Sequence, residues 1–266
     1  MFGFLNVYKT PGMTSHDVVA ALRRVTRIKQ IGHTGTLDPF ASGVLPICIG
    51  KATRLIEYIN DDKAYVATIK LGESTTTYDV EGEVVKKSDK IAEIEEVKRV
   101  IEDFQGEIEQ IPPIYSAIKV NGKKLYEYAR SGEKVDIKPR KVNIYEIRLE
   151  KFDYDSQQLT IYVSCSKGTY IRSLGYDIGE KLGTYGHLVS LERVKAGNFC
   201  VESSVLLDEL DSYEAVSSNI KNPIDYLNYP KYEITEAQKE KIANGNSIKI
   251  NKDSGLCILV YDNKIA

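Results

Sequence analysis

Apolar residues recur along this chain at two spacings, and each spacing predicts a type of element. Val18, Leu22 and Val25 fall on one helical face. Thr14 or Ser15 caps that helix, and Asp17 lies in its first turn, where a negative charge suits the dipole. Ile91, Ile94, Val97, Ile101 and Phe104 form a second helical stripe, which Gly106 closes. Ile171, Leu174, Ile178 and Leu182 form a third, with Gly183 as its stop. Strict alternation marks strands. "AYVATIKL" alternates with Tyr65 near its start, and "EGEVV" is a candidate partner nearby. Leu159, Ile161, Val163 and Cys165 alternate with Thr160, Tyr162 and Ser164, as in a half-buried strand.

Helices and strands are mixed without a regular βαβ rhythm, which predicts an α+β fold: a mixed, mostly antiparallel sheet flanked by helices. No internal repeat or low-complexity tract interrupts it. Residues 217–233 hold two prolines and little periodicity, the composition of a linker. Beyond them the pattern gives a short helix ending near Gly245 and two short strands, "SIKI" and "LCILVY". These are too few to bury a core alone.

Composition narrows the class. The 266 residues, 42% apolar and 28% charged, suit one large soluble domain, or a large one with a small appendage. The start, "MFGFLNVYKT", lacks the features of a signal peptide, and the most apolar runs are too short to cross a bilayer. A cytoplasmic protein is expected. Cys48, Cys165, Cys200 and Cys257 are widely separated, with no C-x-x-C and no His at metal spacing. They read as reduced thiols, and no metal site is expected.

The net charge of -2 argues weakly against a nucleic-acid partner, but it hides a segregation. Residues 81–109 carry ten acidic side chains against five basic. Residues 115–141 carry eight basic ones (Lys119, Lys123, Lys124, Arg130, Lys134, Lys138, Arg140 and Lys141) against three acidic. Phosphate binding needs a local cationic surface and not a basic chain, although a charge run also serves as a solvated face. Charge alone leaves both readings open.

The candidate chemistry sits in "GHTGTLDPFASGVLP", residues 32–46. Pro39 biases Asp38 towards an extended backbone, and the glycines allow tight turns and close approach. A carboxylate there is reachable and rigidly held, or it merely closes its own turn. The strand–turn–helix at residues 166–172 tips the balance. It presents Tyr170 and Arg172 at a helix start, and an Arg beside a carboxylate favours its ionised form. Tyr65 and Tyr170 offer aromatic faces for a base. One carboxylate with no metal and no second catalytic acid suits a nucleophilic Asp.

Five stretches make the chain recognisable: "YKTPGMTSHDVV", "GHTGTLDPFASGVLPICIGKATRL", "KAYVATIKLGESTTTYDVEGE", "QIPPIYSAIKVNGKKLYEYAR" and "CSKGTYIRSL…GTYGHLVSLERV". In these motifs and their order the chain resembles the TruB family of tRNA pseudouridine synthases over nearly its whole length. Pro11 departs slightly, falling one residue later than in the family's K-P-x-G.

The resemblance implies isomerisation of uridine 55 in the T loop of tRNA to pseudouridine, without a cofactor. It implies that Asp38 is the nucleophile and that Arg172 pairs with it. Tyr65 would stack on the target base and help remove its C5 proton. Tyr170 and Leu191 would shape the pocket, and Asp79 lies in a motif that meets RNA. His33 would occupy the space vacated by a flipped uridine, whereas His187 reads as structural. The basic stretch, about residues 107–141, corresponds to the family's thumb, whose Lys119, Lys123, Lys124 and Arg130 would touch phosphates. Residues 1–230 would form the catalytic domain and 231–266 an abbreviated or truncated PUA-like segment. The partner is the T arm of tRNA, with a monomeric enzyme, no membrane and no obligatory protein partner. The nearest alternatives are a ribosomal-RNA or guide-dependent pseudouridine synthase and a tRNA-binding or folding module.

Overall fold

In the computed structural model, which describes residues 1–250 and 255–266, the capping box expected at the first helix is present. Thr14 Oγ1 accepts from the Asp17 amide at 3.1 Å, and Asp17 Oδ2 accepts from the Thr14 amide at 2.8 Å. Strand β1 (Gly3–Lys9) leads into that helix, α1 (Ser15–Thr26), then β2 (Ile31–His33) and β3 (Ser42–Ile49). Next come β4 (Lys63–Leu71), β5 (Glu73–Thr75), β6 (Val84–Lys87), α2 (Ile94–Glu102) and β7 (Gly106–Gln110). An insertion carries the hairpin β8 (Lys119–Val120) and β9 (Lys123–Lys124) and helix α3 (Leu125–Ser131). The long strands β10 (Arg140–Asp153) and β11 (Gln158–Cys165) precede α4 (Ile171–Leu182) and β12 (Gly186–Ala196). Short elements finish the chain. They are β13 (Phe199–Cys200), β14 (Val205–Leu206), α5 (Tyr213–Ser218), β15 (Lys231–Glu233), α6 (Glu236–Ala243), β16 (Ile258–Tyr261) and β17 (Lys264–Ile265).

Among the described residues the main sheet has ten strands. Their order is β14-β1-β3-β12-β4-β11-β10-β7, with β2 on β3 and β13 on β12. Most pairs are antiparallel, while β1–β14 and β3–β12 run parallel. This is the expected α+β architecture. Ile171, Leu174, Ile178 and Leu182 of α4 are buried in one core with Ala67 and Ile69 of β4, Leu159 and Ile161 of β11, and Leu188 of β12. The β3–β12 junction is unusually close. A Cβ on Gly43, whose φ is +106°, would lie 2.3 Å from the Arg193 carbonyl oxygen, so only glycine fits there. The contact fixes the loop before β3 against the middle of β12.

β6 pairs with the nearby β5, while β11 and β12 occupy both edges of β4. Four expectations change. Ile91 precedes α2 and stays exposed: Gln157 holds Ala92 by its amide (2.8 Å) and carbonyl (3.3 Å), which keeps the chain out of the helix. Gly106 opens β7 and does not close α2, whose cap is Asp103. Residues 217–233 are no loose linker. Lys221 bridges to Phe4 by two backbone bonds, and Ile224 and Leu227 are buried with Phe4, Phe199, Ile258 and Val260. The last residues thus complete a second core at the edge of the main sheet. "SIKI" forms no strand, whereas "LCILVY" supplies β16. All four thiols are free, and burial pushes that of Cys48 up to about 12.

Candidate active site

The loop between β2 and β3 carries Asp38, and buried polar groups hold it from three sides. Lys9 ends a buried strand, and its ammonium donates to the carbonyls of Pro39 (3.2 Å), Thr10 (3.0 Å) and Met13 (2.8 Å). Burial lowers the Lys9 pKa to about 8, although the Asp38 charge opposes the shift. Ser15 Oγ accepts from the Leu37 amide at 2.8 Å and donates to its carbonyl at 3.2 Å. Arg193 is fully enclosed. It donates to Val44 O (2.8 Å), Gly35 O (3.1 Å) and Thr36 O (3.4 Å).

Arg172 lies in the first turn of α4, facing the loop. Its Nε sits 2.9 Å from Asp38 Oδ2 as an ion-pair contact, and Nη2 donates to Asp38 Oδ1 at 3.3 Å. The same guanidinium donates to Tyr115 O (2.9 Å) and Thr77 O (3.1 Å), and lies 3.5 Å from Asp79 Oδ2. It is 5% exposed, whereas the Asp38 side chain keeps 34% of its surface open. Burial raises the Asp38 pKa above the ordinary carboxylate value, Arg172 pulls it down and Asp79 pushes it up. The result is a held carboxylate with a free approach.

That approach is a cleft of about 700 Å³ lined by Asp38, Tyr65, Tyr170, Arg172 and Leu191, with Tyr115 and Tyr126 reaching in from the insertion. Gln110 clamps Tyr170: its side chain accepts from the Tyr170 amide (2.8 Å) and donates to its carbonyl (3.0 Å). Tyr65 is 7% exposed, and burial raises its phenol to about 12, with Arg193 acting against the shift. Such a cleft offers flat aromatic rings beside the Asp38 carboxylate, which suits a planar base.

The description "TruB family pseudouridylate synthase (N terminal domain)" matches residues 23–171, and "tRNA pseudouridylate synthase B C-terminal domain" matches 172–227. The chain belongs to the TruB family. It is therefore similar to isomerases that act on tRNA, and it is an enzyme of that class. The tRNA pseudouridine synthase B of Caldanaerobacter subterraneus subsp. tengcongensis is 47% identical over 98% of this chain and 91% of its own. That of Ligilactobacillus salivarius is 45% identical over 100% and 93%. Among solved structures, a Cbf5-Nop10-Gar1 complex contains a chain with TM-score 0.74 and 27% identity, covering 99% of this chain and 76% of that one. These likenesses agree with the pseudouridine synthase fold.

In this TruB-family enzyme the cleft brings together five of the expected site residues and leaves six outside its lining. Asp79 is 3% exposed. Its Oδ1 accepts from Thr77 Oγ1 (2.6 Å) and the Glu81 amide (3.0 Å), so it faces Arg172 and not the cleft. His33 lies on β2, half-buried, and burial lowers its pKa, which favours the neutral ring. Lys119, Lys123, Lys124 and Arg130 lie on the β8–β9–α3 insertion. Lys123 is paired with Glu133 at 2.6 Å, while Lys124 and Arg130 flank the Tyr126 ring at 5.3 and 5.4 Å. His187 is 5% exposed, with Nδ1 3.1 Å from Glu73 O, a structural role as expected.

Sequence reasoning missed Lys9, Gln110 and Arg193. Arg193 shares strand parity with buried Leu191, and a charged residue on the apolar face of a strand is the signal that marks it. Lys9 gives the same signal at the end of the mostly apolar β1. Gln110 gives none, because its partner lies 60 residues away. Among the described residues, no cluster of His, Cys, Asp and Glu is arranged to hold a metal ion, and no helix is long and apolar enough to cross a membrane.

Proposed function

We propose that this enzyme converts uridine 55 in the T loop of tRNA to pseudouridine, with Asp38 as nucleophile on a flipped-out uridine. The observation that carries it is the Asp38 carboxylate, held by Arg172 and open to an aromatic-lined cleft. The reaction is an isomerisation. Asp38 attacks the sugar or the ring, the glycosidic N–C bond breaks, and the uracil rotates. A C–C bond from its C5 to the same sugar carbon then forms, the bond to Asp38 breaks and returns the carboxylate, and the C5 proton leaves while the freed N1 takes one up. Extruding the base costs a few kcal/mol in stacking, and Tyr65 and Tyr170 give it a surface to stack on. His33, beside the Asp38 loop, fills the space left behind. The enzyme acts as a cytoplasmic monomer on the T arm, with no obligatory protein partner, and residues 231–266 form a PUA-like appendage.

Tritium release decides the substrate. Unmodified tRNA transcript labelled at uridine C5 should lose its label, and ribosomal RNA fragments should keep theirs. Release from ribosomal fragments alone would transfer the reading to the ribosomal-RNA class.

Tyr65 separates stacking from proton handling. Tyr65→Phe should bind RNA like the wild type yet turn over about 10²- to 10⁴-fold more slowly, as for a lost proton-transfer group. Tyr65→Leu should also lose about 1–3 kcal/mol of binding with the stacked ring. Single-turnover rates and binding curves measure both, and a fully active Leu variant removes Tyr65 from the site.

The insertion is the phosphate-binding thumb. Changing Lys119, Lys123, Lys124 and Arg130 to Gln should weaken binding. It should lower the slope of log K against log salt by about 0.7–0.9 for each lost phosphate contact. Lys123 should contribute least, because Glu133 already neutralises it. The target uridine should not change, since phosphate contacts carry no sequence information. An unchanged slope would make this surface merely solvated.

A further inference from the structure

A second cavity, of about 590 Å³, adjoins the catalytic cleft. Thr34, Asp61 and Lys167 line both, so they form the wall between them. Arg54 and Thr53 face the second cavity from its other side. The wall is an unusual ion group. Asp61 Oδ2 lies 2.8 Å from Lys167 Nζ, and Oδ1 pairs with Lys63 Nζ, which also donates to the Asp61 carbonyl. Lys63 is 12% exposed, whereas the Lys167 side chain is 78% exposed and reaches over the cleft mouth. Lys63 lies against the Asp38 loop at Gly35, where a Cβ would lie 3.4 Å from Lys63 Cε.

Two lysines on one carboxylate leave an excess of positive charge beside the nucleophile. The Lys167–Asp61 contact is partly solvated, so it is weak and easily exchanged. A nucleotide whose base occupies the cleft must leave its backbone at this mouth, and a phosphodiester carries the same charge as the carboxylate. We propose that Lys167 and Lys63 form a phosphate subsite for the RNA strand flanking the flipped nucleotide. Asp61 acts there as an internal competing anion that holds both lysines in place until RNA displaces it. The inference rests on the RNA-modifying reading above and names a contact outside the thumb.

The test compares Asp61→Asn, Lys167→Gln and the double variant, using unmodified tRNA transcript at several salt concentrations. Removing the competing anion should tighten binding about three- to tenfold and steepen the salt slope by about 0.7. Lys167→Gln should weaken binding and flatten the slope by a similar amount. In the double variant the Asp61→Asn gain should shrink to the part that Lys63 supplies. Equal or weaker binding by Asp61→Asn, or an undiminished gain without Lys167, overturns the subsite. If Asp61→Asn melts early, the Lys167→Gln slope decides alone, and an unchanged slope overturns it. Wild-type tritium release from the same transcript runs alongside. Its failure would strike the proposed reaction, whereas its success with no gain for Asp61→Asn would strike only the subsite.

Discussion

Asp38→Asn should abolish isomerisation and leave tRNA bound. The amide keeps the size of the carboxylate but loses its charge and its nucleophilicity, so the loss falls on the chemical step. A fall in kcat of about 10⁴-fold or more is expected, with Kd changed by less than about threefold. Arg172 should stay in position, because Asp79, Thr77 O and Tyr115 O still hold it. The fold should not suffer either. The folded-state pKa of Asp38 is raised, so its ionised form costs stability at neutral pH, and that cost disappears as pH falls below the ordinary carboxylate range. Asparagine removes the cost, so the variant should melt no lower than wild type at pH 7. Single-turnover assays, binding curves and thermal melts give the three readouts. Activity within a few-fold of wild type refutes the nucleophile, and equal losses of binding and turnover mark a turn-closing Asp instead.

Arg172→Met should cost both activity and stability. It leaves Asp38 and Asp79 facing each other without their cation and strips donors from the carbonyls of Thr77 and Tyr115. Removing one partner of a buried ion pair typically costs about 3–5 kcal/mol, so the melting temperature should drop clearly. The pH profile should move as well. Without Arg172, burial and the neighbouring Asp79 push the Asp38 carboxyl still higher, so the acid limb of activity shifts towards neutral pH. Arg172→Lys keeps the charge but not the planar fork, and should fall between the two. A Met variant with the wild-type melting point and acid limb would show that Arg172 neither supports the fold nor tunes Asp38.

Local patterning announced much of this molecule. Thr14 and Asp17 capped α1, and the alternations at Ala64–Leu71 and Leu159–Cys165 gave two central strands, because both signals depend on neighbours in sequence. Asp38, Tyr65, Tyr170, Arg172 and Leu191 were legible through their motifs, and the structure gathers them in one cleft. What stayed hidden depends on distant partners. The Ile91 stripe failed because Gln157 captures Ala92, and residues 217–233 looked like a linker because their burial depends on Phe4 and Phe199. Asp79 is held partly by its own turn, through Thr77 and Glu81, and partly by Arg172, 93 positions later, which no local pattern shows.

The three pins on the Asp38 loop have a consequence for the thermodynamics of RNA recognition. Lys9, Ser15 and Arg193 bind its backbone in the free enzyme, at Gly35, Thr36, Leu37 and Pro39, and Arg193 also binds Val44 in β3. Fixing the backbone of one residue costs about 1–2 kcal/mol in conformational entropy. Folding has already met that cost for this loop, so RNA binding need not order it again. The entropy lost on association then falls mainly on the nucleic acid. A binding surface ordered in advance also leaves little room for adjustment, so a strand that does not present its backbone at the right height gains nothing from the enzyme's flexibility.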